Sequence, residues 1–406
     1  MKPSLKNVRI LGVLSLIGAV FAFIVPGGVT DIRLHAESDL IAIPDFPVPS
    51  GTVCWSALAV QLGLLVFAYF NYRGHRKDPR WMVPVFGAAF LLSTLVFLYA
   101  GKTLTFTALL AGSLALAVPL IFGSLAGVLS ERSGVVNIAI EGQLLAGAFT
   151  SALVASLTNS VWVGLVVAAI AGALVAAVLA VFAIKYLVDQ IIVGVVLNVL
   201  VVGLTNFLFS TLMNDLATFN SPPRFATFSI PLLSQIPILG PVLFSQTPIV
   251  YLMYVAVAVV WTALFKTRWG LRVRAVGEYP KAADTVGIKV FRTRYVSVII
   301  GGALAGLGGA FFTLGQVGAF GKEMTNGAGY IALAALIFGR WNPIYAAVAA
   351  LLFGFSENLQ FGLAIIGSSV PSEFLLMLPY VLTVVAVAGL VGRVVAPAAD
   401  GKPYLK

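Results

Sequence analysis

Three polar clusters interrupt an otherwise apolar chain, and chemistry has to be sought there. The first, ERSGVVNIAIEGQLLAGAF from Glu131 to Phe149, sets Asn137, Glu141 and Gln143 among apolar neighbours. A carboxylate at mid-membrane costs about 2.5–3.5 kcal/mol on insertion scales, so Glu141 has to face protein or water and not lipid. Asn137 and Glu141 stand four residues apart and share a helix face. Such a pair fits a polar lining for a solute path. It fits equally a helix-to-helix hydrogen bond that only packs a bundle.

The second cluster, Gly301 to Pro343, is rich in glycine and broken by Gln316, Lys322, Glu323 and Asn326. Small residues let helices approach closely, and irregular backbone at membrane depth survives only where protein or a water-filled cavity satisfies it. A broken helix near 316–330 is therefore predicted. With the polar break at 131–143, it places one interrupted segment in each half of the chain, a pattern that marks central sites in transporters. Asn198, Asn206, Glu357, Asn358 and Gln360 are weaker signals of the same kind, Glu357 the costliest.

The third cluster is Lys266 to Arg294, KTRWGLRVRAVGEYPKAADTVGIKVFRTR, with eight basic residues against Glu278 and Asp284. Pro280 suits a first helical turn, Ala282 and Ala283 favour helix, and Gly287 can stop it. The spacing predicts a short helix parallel to the membrane, able to take force from a soluble partner. Charge alone would let the same segment rest on lipid headgroups.

Other chemistries lack residues. Ala100 to Thr103 reads A-G-K-T, but the glycine a P-loop needs five residues before Gly101 is Val96. The single cysteine, Cys54, has no intramolecular partner, and His35 and His75 lie in separate loops, so neither a metal site nor a nucleophile–base pair is expected.

These clusters must be positioned by membrane helices. Sixty per cent of the 406 residues are apolar, 10% are charged and the mean hydropathy is +1.02, whereas soluble chains carry roughly 25% charged residues. Apolar runs predict spans near 10–26, 53–71, 83–100, 104–129, 134–157, 161–184, 190–212, 248–265, 295–315, 329–340, 343–364 and 374–392. The run 329–340 is too short to cross alone and reads as half a broken helix or a re-entrant segment. The fold class is an all-α polytopic membrane protein with about 10 to 12 transmembrane helices, broken or re-entrant segments included. The N-terminal run lacks a small-residue cleavage site and reads as an uncleaved helix. Twelve crossings from a cytoplasmic N-terminus put 21 of the 25 basic residues inside, leaving Arg33, Lys102, Arg224 and Lys322 outside. The net charge of +10 thus follows membrane sidedness and is no sign of nucleic acid. Two outer segments, Gly27 to Thr52 and the proline-rich Met213 to Thr247, are long enough to be functional.

The stretches GVLSERSGVVNIAIEGQLLAGAF, GLRVRAVGEYPKAADTVGI, GYIALAALIFGRWNPIYAAVAALLFGFSENLQ and APAADGKPY stand in one order and spacing. Together they closely resemble a permease subunit of bacterial ATP-binding-cassette importers for nucleosides, within the group that also serves ribose-like sugars and branched-chain amino acids. The resemblance runs from about Leu104 to the C-terminus. It implies a core permease over 104–393 and a cytoplasmic tail over 394–406, after an N-terminal extension over 1–103 with about three helices. It also implies a multi-pass protein of the bacterial inner membrane, with both termini cytoplasmic. The partners implied are a second homologous permease, a cytoplasmic ATPase and a substrate-binding lipoprotein. The chain itself would need no cofactor, ATP being bound by the partner, and would hydrolyse nothing. The family's coupling segment matches Arg274, Gly277, Glu278, Tyr279, Pro280, Ala282 and Gly287, with Tyr279 where an Asn is usual. Only the flanks Lys266, Arg268, Arg292 and Arg294 are then left for headgroups.

On this reading Asn137, Glu141, Glu323 and Asn326 line the substrate path. A permease for a simple sugar fits the same path. An ion-coupled carrier would instead use Glu141 and Glu357 as proton or sodium sites.

Overall fold

Apolar runs of about 20 residues satisfy their own backbone only as helices, and the glycines among them decide which helices touch. A computed structural model describes residues 5–35, 44–79, 81–213, 217–366, 377 and 395–405. In chain order it gives α1 (Leu5–Ile24), β1 (Val29–Arg33), β2 (Phe46–Pro49), α2 (Ser50–Arg73), α3 (Met82–Leu98), β3 (Thr103–Thr105) and α4 (Phe106–Glu131). Then follow α5 (Ile140–Thr158), α6 (Val161–Ala180), α7 (Gln190–Leu208), β4 (Phe228–Ser229), β5 (Ser245–Gln246), α8 (Pro248–Lys266) and α9 (Arg268–Glu278). The last helices are α10 (Pro280–Thr285), α11 (Val290–Ala310), α12 (Ala328–Phe338) and α13 (Pro343–Ile365). Helices α6, α7 and α11 extend by π-helical turns to Lys185, Met213 and Val317.

Among the described residues eight helices are long and apolar enough to cross a membrane, and α1, α3 and α12 are shorter apolar helices. The run expected at 374–392, Met377 apart, lies outside the described residues. The fold is that of a polytopic helical membrane protein. One expected span starts later: residues 132–139 are irregular and α5 begins at Ile140, because the polar Asn137 and the left-handed Gly134 (φ 88°) break the helix. The basic segment also departs from expectation, holding two helices, α9 and α10, where one was predicted.

The chain forms two compact units. The first holds residues up to Ala111 with Pro231–Val242 and part of 359–377. Here α1, α2 and α3 pack through Ala22, Cys54, Leu58 and Val96, and Phe21 stacks on Phe97 at 4.6 Å. The Gly27–Thr52 stretch is more than a loop: β1 pairs antiparallel with β2 and parallel with β3. Buried Thr30 anchors this small sheet through Ser50 Oγ at 2.9 Å. Pro47 and Pro49 fall on an edge strand, where a missing N–H costs nothing.

The second unit runs from Gly112 to Ile230, Leu243 to Asn358, and onward from Leu378. Its centre is the trio α5, α6 and α11. A Cβ on Gly306 of α11 would fall on the Ala168 carbonyl of α6, and one on Gly309 would fall on the Leu144 carbonyl of α5. The glycine-rich stretch is therefore the seam of the bundle. Two glycines of α4 likewise face α12, Gly123 against Ala332 and Gly127 against Leu336.

Candidate functional site

Two breaks in the helical chain, 132–139 and 318–327, meet at one carboxylate. Glu141 sits in the first turn of α5 and is 7% exposed. One of its oxygens accepts from Thr325 Oγ1 at 2.6 Å and from the Gly327 N–H at 2.9 Å. The other accepts from the Gly329 N–H at 2.6 Å. These donors precede or open α12, whose first N–H groups have no partner within the helix and whose dipole favours negative charge there. Glu141 thus caps α12 from α5. The close fit needs Gly329, since a Cβ there would meet the Glu141 backbone.

Beside this cap lies a cleft of about 300 Å³ with polar walls of Glu141, Asn198, Glu323, Thr325, Asn326 and Tyr330, and apolar walls of Leu145, Val199 and Val202. Glu323 and Asn326 take left-handed backbone (φ 53° and 42°) in the break before α12. Asn206 Nδ2 donates to Glu323 at 2.9 Å. Asn198 fixes the floor: its oxygen accepts from the Gly142 N–H at 2.8 Å, and its Nδ2 donates to the Ile138 carbonyl at 2.9 Å and to the Tyr330 hydroxyl at 3.2 Å. Three of the four expected path residues therefore share one cleft. Asn137 does not line it. Its amide is fully buried and exchanges two hydrogen bonds with Gln143, at 3.1 and 3.0 Å, so it braces the turn into α5. Asn198 ranked low in the sequence because asparagines often join helices, which it also does here. Tyr330 carried no signal within an apolar run.

At the other end of α5's lead-in stands a second polar knot. The Trp341 indole donates to Glu131 at 2.6 Å, and Arg132 donates to the Trp341 carbonyl at 2.9 Å. Arg294, expected at the headgroups, is instead 1% exposed and donates to the carbonyls of Ser133 and Lys402, both at 3.2 Å. This part of α11 lies under the tail, where the guanidinium is close enough to Asp400 for the two charges to influence each other. Asp400 adjoins Glu131, and burial raises its carboxyl to about 7 although the Gly401 N–H and the Arg294 charge pull it down.

The basic segment is attached to this knot. Thr267 caps α9 by accepting the Gly270 N–H at 3.1 Å, Pro280 opens α10, and Gly287 (φ 84°) closes it with an N–H to the Asp284 carbonyl at 2.9 Å. Gly277 packs directly on the Arg132 carbonyl, leaving no room for a Cβ. Its own carbonyl accepts the Ala399 N–H at 2.9 Å, and Glu278 accepts the Ala398 N–H at 3.3 Å. Arg274 lies over the Phe265 ring at 5.1 Å. Arg274, Gly277 and Glu278 hold the segment to the protein, while Tyr279 (63% exposed), Ala282 and Gly287 are free on its surface. The tail's part was missed, because a short polar run after the last span gives no periodicity to read. Tyr404 is buried with Val276, Ala283 and Val290.

The family of branched-chain amino acid transport system permease components matches residues 109–387. The guanosine ABC transporter permease protein NupQ of Bacillus subtilis is 42% identical over 307 residues, covering 72% of this chain and 95% of that protein. The nucleoside ABC transporter permease protein NupC of Lactococcus lactis is 39% identical over 316 residues, covering 74% and 98%. A putative glucose ABC transporter permease protein of Haloferax volcanii, TsgC13, is 37% identical over 60% of this chain and 74% of its own length. No solved structure matches the chain significantly.

Proposed function

Because the chain belongs to this permease family and is a membrane transport component, not an enzyme, we propose that it forms half of the translocation path of an importer for nucleosides. The two relatives at 39–42% identity that are named for guanosine and nucleosides support this substrate over glucose, whose named relative matches a smaller share of the chain. In this reading a second permease completes the path, a lipoprotein delivers the solute, and a cytoplasmic ATPase binds the ATP. The chain's termini and its basic segment lie in the cytoplasm of a bacterial cell, as the distribution of basic residues suggests.

One observation carries the mechanism: α10 follows α9, whose Gly277 packs on the Arg132 carbonyl, and the same turn leads within ten residues to Glu141 and the cleft. The ATPase docks on Tyr279, Ala282 and the end of α10, and its closure on ATP pushes this helix. The push passes through the 131–134 turn into α5 and moves the cap of α12, rocking the bundle between inward- and outward-facing states. Glu323, Asn326 and the Tyr330 hydroxyl offer donors and acceptors for ribose hydroxyls and a base edge, while Glu141 holds the wall that carries them. Asn137 supports that wall from behind.

The test is uptake of labelled guanosine and adenosine by cells expressing the chain with its partner subunits. Unlabelled nucleosides should compete and excess ribose or glucose should not. Competition by the sugars alone would replace the nucleoside reading with the sugar one, and loss of uptake on dissipating the proton gradient at constant ATP would replace both.

A further inference from the structure

Between α9 and the start of α11 runs a groove of about 840 Å³, lined by four cations that the transport reading leaves unused. Its existence follows from two glycines. A Cβ on Gly270 would strike the carbonyls of Ala263 and Leu264, so α9 can fold back tightly where α8 leaves the membrane. Gly287, in left-handed backbone, turns the chain from α10 into α11. Arg268, Arg272, Lys289 and Arg292 all line the groove, and no carboxylate does. Among the described residues none of the four makes an ion pair; the two salt bridges found belong to Arg33 and His35. Four unpaired cations converging without an acid repel one another unless an anion joins them.

The rest of the lining is apolar. Trp269, Ile288 and Val296 form it with Leu271 and Val286, which are 61% and 75% exposed. Cations, an indole and exposed aliphatic side chains at the point where two spans enter the bilayer match an amphiphile's headgroup and acyl chains. A soluble anion has no use for the aliphatic part. We propose that this groove is a binding site for an anionic phospholipid of the surrounding leaflet, whose phosphate the four cations hold and whose chains lie on Leu271, Val286 and Ile288. A lipid there would steady the frame from which α10 projects.

The whole transporter, with its partner permease and ATPase, is purified, delipidated and offered phosphatidylglycerol or phosphatidylcholine in mixed micelles, with retained lipid counted by native mass spectrometry. Phosphatidylglycerol should be retained about tenfold more strongly than phosphatidylcholine. The double variant Arg272→Gln/Arg292→Gln should lose most of that preference, Arg272→Lys/Arg292→Lys should keep it, and millimolar inorganic phosphate should not displace the lipid. Equal retention of the two lipids, or unchanged preference in the glutamine variant, would overturn the proposal. Displacement by phosphate would make the site one for free anions. Loss of the ATPase subunit from the glutamine variant with lipid retention intact would give the groove to a protein partner. Lipid retention is read without uptake, so a negative result here leaves the transport reading standing.

Discussion

Glu141 can be a solute ligand or the fastener of α12, and one pair of substitutions separates the two. Its carboxylate accepts three hydrogen bonds, two of them from backbone N–H groups at the start of α12. Leaving a buried donor unsatisfied costs about 1–3 kcal/mol, so Glu141→Ala, which strands all three, should cost about 3–6 kcal/mol, a large share of the roughly 5–15 kcal/mol that holds a domain folded. Glu141→Gln is milder. One oxygen can still serve Thr325 and Gly327, but an NH₂ then confronts the Gly329 N–H, donor against donor, for a loss of about 2 kcal/mol. In detergent the glutamine variant should melt about 2–3 °C lower and the alanine variant should fail to give a cooperative transition. Uptake by the glutamine variant should fall through kcat, because the wall is displaced, with KM little changed. A glutamine variant that melts like the wild type but shows a strongly raised KM would refute this account and make Glu141 a direct contact of the solute.

Two further outcomes follow from the knot at the opposite end of the α5 lead-in. Gly277→Val drives a side chain into the Arg132 carbonyl; the transporter should still assemble, yet uptake should fall more than about tenfold while basal ATP hydrolysis persists, and normal uptake would remove Gly277 from the coupling route. Asp400, raised to about 7 by burial, holds a proton in the folded protein that the unfolded chain releases near 4. Its stabilising contribution is therefore complete at about pH 4 and is lost as pH rises through about 7. Thermal stability measured from pH 5 to 8 should decline in the wild type and decline less in Asp400→Asn; identical profiles would exclude Asp400 as the titrating group.

What the sequence revealed and what it hid divide along a physical line. Burying charge and breaking helices are costly in lipid, so Glu141, the 318–327 break and the turn at Gly287 all announced themselves by residue type alone. Except at the start of α5, hydropathy placed the described apolar helices within a few residues, because a span must cross about 30 Å whatever its neighbours are. Partner choice is another matter. Asn137 and Asn198 are the same residue in similar apolar settings, yet one is spent on Gln143 and the other reaches the cleft, a difference fixed by which helix lies opposite. Arg294 reads as a surface cation by its neighbours Arg292 and Lys289, and only the tail folding over it turns it into a buried one.

The tail changes how the basic segment can act. A helix tethered only by its two ends would yield locally when pushed, and little of the motion would reach the bundle. Here α9 and α10 are fastened on a third side, by Ala398 and Ala399 to Glu278 and Gly277, while the Lys402 carbonyl of the same strap accepts from Arg294 at the root of α11. On the proposed reading, displacement of α10 carries the 131–134 turn and the start of α11 together. The 131–134 turn opens the break before α5 and α11 leads into the break before α12, so on that reading a single push at the segment's surface reaches the cleft from both walls.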